Sequence, residues 1–533
     1  MNRPLPLALG ALLAGTTLLA GCNLAPKYLR PAGAVPATLP QGGIYPAAAS
    51  DAPDPTQVGW RDFFVDPRLR DVIALGLENN RNLRVAAANV LQARAQYRIQ
   101  RADIVPTTGV TGTAVYTNNI FGASGGSSAG TTTGGTGTTG GTAGGTAGSG
   151  AGSGAGAGVS TGSGVGTGTS SNIEAYSLNA GFSNFELDLF GRVRNLSRAA
   201  QEQYFASEEA RRTARISLIA EIASAWLTMA SDQEQLQLSR DTLGTFKQTL
   251  DLTSAQFRVG VGSELEVRQA ETNYQGARND IAALQTQIAR DGNALNLLVG
   301  AAVPAGQLPT ELGTADYTRD ALPAGVSSAV LLARPDVLQA EHQLIAQNAN
   351  IGAARAAFFP TISLTATLGT ISTALSGLFG GGSFTYQATP GASLPLFDAG
   401  RRAGSLDYAR ASQTAAIATY EQAIQTAFRE VADALAQRGT ITEQVAAQTA
   451  RANAAGITAR LSDARYRAGV DSFLTTLDSQ RNAYAARQQL VTTRLTRANN
   501  LVELYRSLGG GLAGEPDQGP APLPKSVGGT TTR

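Results

Sequence analysis

Apolar positions along this chain fall into two kinds of pattern. Ala270, Tyr274, Ala277, Ile281, Leu284, Ile288, Leu295 and Leu298 recur in alternating steps of four and three, interrupted at Asp291. Leu477, Tyr484, Val491, Leu495, Ala498, Val502 and Tyr505 repeat the pattern, with Arg481 and Gln488 as polar members. Such seams predict long helices packed as coiled coils, and the local richness in Ala, Arg, Gln and Leu agrees. A helix from about 192 to 256 would be roughly 100 Å long at 1.5 Å per residue, more than a compact globule needs. The second pattern alternates by two. Ile362, Leu364, Ala366 and Leu368 alternate with Thr361, Ser363, Thr365 and Thr367. Phe384, Tyr386 and Ala388 continue it, as do Leu178, Ala180 and Phe182, and more weakly Val110, Ala114 and Tyr116. An apolar face opposite a hydroxyl face suits a strand between lipid and a wet lumen, although a half-buried soluble sheet alternates the same way. Strands are expected at about 107–120, 174–190, 361–372 and 384–397. Pro106 and Pro360 mark the switch from helix to strand, because the residue before proline disfavours helix, and Gly191 and Gly400 mark the return.

The elements occur twice. Ala356-Ala357-Phe358-Phe359-Pro360-Thr361-Ile362 mirrors Ala102-Asp103-Ile104-Val105-Pro106-Thr107-Thr108. Leu394-Pro395-Leu396-Phe397-Asp398-Ala399-Gly400-Arg401 mirrors Leu187-Asp188-Leu189-Phe190-Gly191-Arg192, and Tyr466-Arg467-Ala468-Gly469-Val470 mirrors Phe257-Arg258-Val259-Gly260-Val261. Each copy reads as helix, strand, strand, long helix, helix. After the N-terminal apolar run, no stretch offers about 18 consecutive apolar residues, so any membrane crossing needs a closed barrel. Four strands cannot close one, since the smallest membrane barrels need about eight; three chains would supply twelve. Residues 122–170, almost wholly Gly, Ser, Thr and Ala, separate the first two strands. They cannot bury a core and are read as a disordered extracellular loop. No lysine follows their glycines (the chain has only Lys27, Lys247 and Lys525), which excludes a phosphate-cradling loop.

Composition narrows the chemistry. The 533 residues carry a net charge of +2, and no basic face suggests nucleic acid. His342 is the only histidine, and neither a histidine–cysteine metal cluster nor a Ser–His pair with a plausible partner can be assembled. The chain is read as no enzyme, with no catalytic or metal residue and no cofactor. Residues 1–21 read as an export signal, with Arg3 ahead of the apolar run Leu5–Leu19. Leu19-Ala20-Gly21-Cys22 resembles the bacterial lipobox, which implies cleavage before Cys22 and its acylation; a buried free thiol is the other reading. Cys22 is the only cysteine, so no internal disulfide forms. Asn23, where an aspartate would retain a lipoprotein in the inner membrane, favours outer-membrane sorting.

Five segments together resemble the TolC-like outer-membrane factor family, in its OprM/NodT lipoprotein branch. They are Cys22-Asn23-Leu24-Ala25-Pro26-Lys27-Tyr28 with Arg30-Pro31, Trp60-Arg61-Asp62-Phe63-Phe64-Val65-Asp66-Pro67, Ala333-Arg334-Pro335-Asp336-Val337, Pro395-Leu396-Phe397-Asp398-Ala399-Gly400, and Tyr466-Arg467-Ala468-Gly469-Val470-Asp471-Ser472-Phe473-Leu474 leading to Leu477-Asp478-Ser479-Gln480. The resemblance implies a mixed α+β membrane protein, a homotrimer whose twelve-stranded transmembrane β-barrel continues into a periplasmic α-helical barrel. It implies a lipid-anchored outer-membrane duct of a tripartite, RND-type efflux system. Its partners would be a periplasmic membrane-fusion adaptor, an inner-membrane efflux transporter and outer-membrane lipid. The corresponding organisation is signal peptide 1–21, anchored segment 22–60, first repeat 61–300, equatorial linker 301–330, second repeat 331–510 and flexible tail 511–533.

Site residues follow from the same resemblance. The turns at Gly260-Val261 and Gly469-Val470 would be the adaptor-docking tips, and glycine also suits a reversal needing positive φ. Asp478 would form a carboxylate ring at the periplasmic aperture, where three symmetric aspartates repel one another and attract cations. A second ring is not expected, since Thr475 stands at the other family position. Tyr466 matches a latch tyrosine and Glu266 its acidic partner, while Asp471 replaces the family's arginine. A Tyr466–Glu266 hydrogen bond is the expected latch. A protein-secretion duct and a coiled-coil surface lipoprotein stay open as alternatives.

Overall fold

The computed structural model of the chain describes residues 23–31, 33–46, 58–117, 173–313, 316–319 and 327–510. The expected signal peptide 1–21, the acylation site Cys22, the glycine-rich loop 122–170 and the tail 511–533 lie outside them. Eight helices and four strands organise the described residues. Short α1 (Trp60–Phe63), α2 (Pro67–Asn79) and α3 (Arg81–Ala102) precede β1 (Gly109–Thr117) and β2 (Ile173–Leu187). The 67-residue α4 (Arg192–Arg258) and the 36-residue α5 (Glu264–Val299) follow. Then come α6 (Pro335–Ala356), β3 (Thr361–Ser372), β4 (Phe384–Ser393), the 67-residue α7 (Arg401–Arg467) and the 35-residue α8 (Phe473–Ser507). None of the described helices is long and apolar enough to cross a membrane.

Two compact units share the chain. The first comprises residues 1–26, 98–197 and 349–407 and contains all four strands. They form one antiparallel sheet in the order β1-β2-β3-β4. Register puts Val110, Ala180, Leu368 and Tyr386 in one row, and Phe182, Ala366 and Ala388 in the next. Directly opposed residues share a face, so this face is apolar. The other face presents Thr111, Asn179, Gly369 and Thr385 in one row, and Thr365 with Thr389 in another. Thr113 and Ser177 are hydrogen-bonded across it at 2.6 Å. The apolar side chains nearest the two edges stay uncovered: Val110 is 71% exposed and Tyr386 82%. Strand ends differ from the sequence reading. β4 stops at Ser393 rather than near 397, because Ser393 pairs with Thr361, where its partner β3 begins just after Pro360. β2 stops at Leu187 rather than near 190, because the Asp188 carboxylate accepts the Arg194 N–H at 2.8 Å and turns the chain into α4. Beneath the sheet, Phe190 stacks on Phe359 with ring centroids 4.6 Å apart.

The second unit comprises residues 27–97, 198–348 and 408–533. Its core gathers Trp60, Phe63 and Phe64 of the N-terminal segment, Leu69 and Ile73 of α2, Ile222 and Trp226 of α4, Leu295 of α5, Tyr420 of α7 and Tyr505 of α8, all at most 3% exposed. Phe63 stacks on Tyr505 at 4.2 Å. Trp226 Nε1 donates to the Gln307 carbonyl at 3.0 Å. Several sequence signatures acquire physical roles here. Asp66 caps α2 by accepting the Arg68 and Leu69 N–H groups, with Pro67 at the first helical position. Arg334 is 5% exposed and bridges Asp336 (2.7 Å), Glu430 (2.9 Å) and the Ser507 carbonyl (2.5 Å). His342 Nδ1 faces Glu202 at 2.7 Å, a structural pair that holds the imidazole's pKa above its usual value.

The N-terminal segment is fastened at several points. Arg30 forms two hydrogen bonds with Glu341 (2.8 and 2.6 Å), and the Tyr28 hydroxyl donates to the same carboxylate at 3.0 Å. Arg355 Nη1 donates to the Leu24 carbonyl at 3.1 Å. A Cβ on Gly352 would lie 2.8 Å from the Ala25 nitrogen, so glycine is what lets the segment lie this close to α6.

Candidate functional site

The two helix–helix turns, α4 to α5 and α7 to α8, are built alike. Gly260 (φ +81°) and Gly469 (φ +74°) are both left-handed, a conformation that a Cβ would strain. Their N–H groups donate to the Phe257 and Tyr466 carbonyls. The next N–H groups, of Val261 and Val470, reach back to the Gln256 and Arg465 carbonyls at 3.0 and 2.9 Å. This pair of bonds is the Schellman helix stop, which satisfies carbonyls that a helix end otherwise leaves unpaired. Each following helix then starts on a serine cap. Ser263 accepts the Glu266 N–H, and Glu266 returns the favour by accepting the Ser263 N–H at 3.0 Å. Ser472 accepts the Thr475 N–H. The turns present apolar groups outward: Val261 is 77% exposed, Val470 62%.

Beside the second turn, Tyr466, Phe473 and Leu477 pack with Ala270 and Leu250 in a small separate cluster. The expected Tyr466–Glu266 bond is not formed. The Tyr466 hydroxyl donates to Gln256 Oε1 at 2.6 Å, and the Glu266 carboxylate is committed to its own helix's capping box. Burial and the nearby Glu266 charge still push the Tyr466 phenol upward. Asp471 is held by Arg465 through two hydrogen bonds of 2.7 and 2.9 Å, and this pairing lowers its carboxyl below the usual range. Asp478 is exposed on α8, next to buried Leu477 and Ser479. The structure thus gathers Tyr466 and Asp471 at one turn and Glu266 at the other turn's cap, with Asp478 two helical turns beyond.

Further contacts emerge that single residues do not advertise. The Tyr484 hydroxyl meets Ser239 Oγ (2.8 Å) and Asp280 Oδ2 (3.0 Å), so one side chain of α8 ties α4 and α5. Burial pushes this phenol up to about 12. Gln480 and Thr249 are bonded one turn closer to the tips. The Arg465–Asp471 pair had a sequence signal, namely that Gln256 and Gly262 occupy the matching positions of the first copy. There the Gly262 N–H bonds to the Gln256 carbonyl, and a Cβ on Gly262 would approach Gln256 Cβ to 3.0 Å.

No group of three or more His, Cys, Asp or Glu able to hold a metal occurs among the described residues. The arrangement offers helix ends, apolar tips and a polar sheet face. The family described as "Outer membrane efflux protein" matches residues 72–301 and 326–510. The chain is similar to the probable efflux pump outer membrane protein TtgC of Pseudomonas putida, with 42% identity over 495 residues and 93% of each chain covered. It is 38% identical to the cation efflux system protein CusC of Escherichia coli O157:H7, covering 92% of this chain and 96% of that one. The open-state MtrE outer-membrane channel of Neisseria gonorrhoeae superposes with a TM-score of 0.76 at 34% identity, covering 93% of this chain and 99% of that one.

Proposed function

The chain belongs to the outer membrane efflux protein family, and from that membership we propose that it is the outer-membrane duct of a tripartite efflux pump, passing small molecules from the periplasm to the exterior. It is an outer-membrane efflux channel. The observation that carries it is the four-stranded sheet with one apolar face, one hydroxyl-rich face, and two edges, β1 and β4, unpaired among the described residues. In lipid an open edge leaves backbone groups without partners. Directions alternate along the sheet, so β4 of one copy meets β1 of the next antiparallel, and three copies close a twelve-stranded barrel. The equal lengths of α4 and α7 and the matched turns support a duplicated unit, whose helices would line the same duct.

Acylated Cys22 would tether each protomer, and the exposed tips at Gly260-Val261 and Gly469-Val470 would meet the periplasmic adaptor. The three symmetry-related Asp478 carboxylates would ring the aperture. Relatives are named for toluene, antibiotics and cations. Two methionines and one histidine in the whole chain give no support to a soft-metal cargo, so small organic molecules are the preferred class.

Purified full-length protein should run on gels as a heat-sensitive trimer and open discrete conductances in a planar bilayer. Trivalent cations added on the periplasmic side should block the wild type and not Asp478→Ala. A protein that inserts but never conducts would overturn the duct. Equal block of wild type and variant would remove Asp478 from the aperture.

A further inference from the structure

The duplicated hairpins have diverged in charge. Residues 449–507 hold nine arginines against three aspartates and one glutamate, net +5, while the matching residues 240–298 hold five arginines and one lysine against seven acids, net −1. Part of that excess converges on a groove of about 580 Å³ between α4, α7 and α8. Arg460, Arg487 and Arg494 line it, facing a single acid, Glu234. Arg494 meets Glu234 at 3.4 Å, whereas Arg460 and Arg487 have no ion-pair partner among the described residues. The floor is apolar: Val491 is 4% exposed, and Leu490 lies beside it. Ile457, at the rim, stays 48% exposed. A Cβ on Gly456 would lie 3.4 Å from Arg487 Nη2, so the glycine lets this guanidinium lie close against α7.

We propose that this groove is a binding subsite for anionic amphiphiles, molecules with an apolar body and one carboxylate or sulfonate head. Guanidinium groups are weakly hydrated and grip such heads through paired N–H bonds, while the apolar floor takes the body. The volume falls in the range of small-molecule sites. If the duct reading holds, the groove retains acidic cargo on the helical part of the pathway.

Calorimetry on the full-length protein in nanodiscs tests this with three matched probes: naphthalene-2-sulfonate, 2-naphthylmethanol and 2-naphthylmethylammonium. Wild type should bind the sulfonate at least about tenfold more tightly than the ammonium. The double variant Arg460→Gln/Arg487→Gln should lose about tenfold of sulfonate affinity, and the exposed control Arg240→Gln should lose none. Unchanged circular dichroism and trimer migration will show that the variants fold. Equal binding of sulfonate and ammonium, or undiminished binding by the double variant, overturns the subsite. Bilayer conductance is recorded in parallel. A conducting channel without charge preference sinks the groove alone, and selective binding without conductance sinks the duct alone.

Discussion

The Tyr466 hydroxyl donates to Gln256 Oε1 at 2.6 Å, joining the last turn of α7 to the last turn of α4. The bond links two helices at their stops, where each chain direction is about to reverse. Tyr466→Phe deletes the donor and leaves the ring to pack on Phe473, 5.5 Å away. A neutral hydrogen bond contributes about 0.5–1.5 kcal/mol, so open probability in a planar bilayer should rise severalfold. Gln256→Leu should act in the same direction. Glu266→Gln, which keeps an acceptor for the Ser263 N–H, should leave conductance unchanged.

Asp471 and Arg465 make the neighbouring charged contact. Arg465 lowers the Asp471 carboxyl below its ordinary value of 3.8. A depressed carboxylate stabilises fully above its unfolded value and loses that contribution as pH falls through the folded one. Gating should therefore be insensitive to this pair between pH 8 and about 5, as recordings of Asp471→Asn beside wild type will check. Only more acid solutions should make the two converge.

Asp232 behaves oppositely. Burial, together with the Asp291 carboxylate that accepts its proton and repels its charge, pushes its carboxyl up to about 6. Such a raised acid stabilises the fold below 3.8 and loses that contribution as pH rises through about 6. Asp232→Asn keeps the hydrogen bond without the charge. It should raise the melting temperature at pH 7.5, by the equivalent of about 1–2 kcal/mol after allowing for solvent screening, and change it little at pH 4. A larger gain at pH 4 than at pH 7.5 would sink the shared-proton account.

Arg334 is the side chain whose loss the fold should tolerate least. Its removal leaves Asp336 without its arginine, Glu430 with Arg506 alone at 3.3 Å, and the Ser507 carbonyl without that donor. Breaking a buried charge network by deleting one partner costs about 3–5 kcal/mol. Arg334→Ala should yield little assembled protein in outer-membrane fractions, and Arg334→Lys should recover only part, because an ammonium cannot reproduce the planar fork.

The periodicities carried the elements well. The four-and-three seam from Ala270 to Leu298 is α5, and the alternation from Thr361 to Leu368 is β3. Even the break at Asp291 had physical content, since that carboxylate raises the pKa of Asp232 on α4. The turn glycines were legible too, because positive φ is a local demand. Partners were not legible. Tyr466 and Gln256 are 210 positions apart, and nothing local in a glutamine says which tyrosine it will accept from. Glu266 looked available as a latch acid because its capping role depends on Ser263 three residues earlier, a local signature that outcompetes a distant hydroxyl. Strand ends were misjudged where the partner strand runs out, as at Thr361 opposite Ser393, and where a side-chain turn cuts the ladder after Leu187.

The fastening of residues 24–30 sets an order of events. Their partners, Glu341 and Arg355, stand more than 300 positions later in the chain. The acylation proposed for Cys22 would act while this stretch is still loose, but its docking must wait until α6 has been made and folded. Closing so long a loop is slow, and each contact alone is modest. A stretch made early is thus among the last to be seated, and its seating reports that α6 has already taken shape.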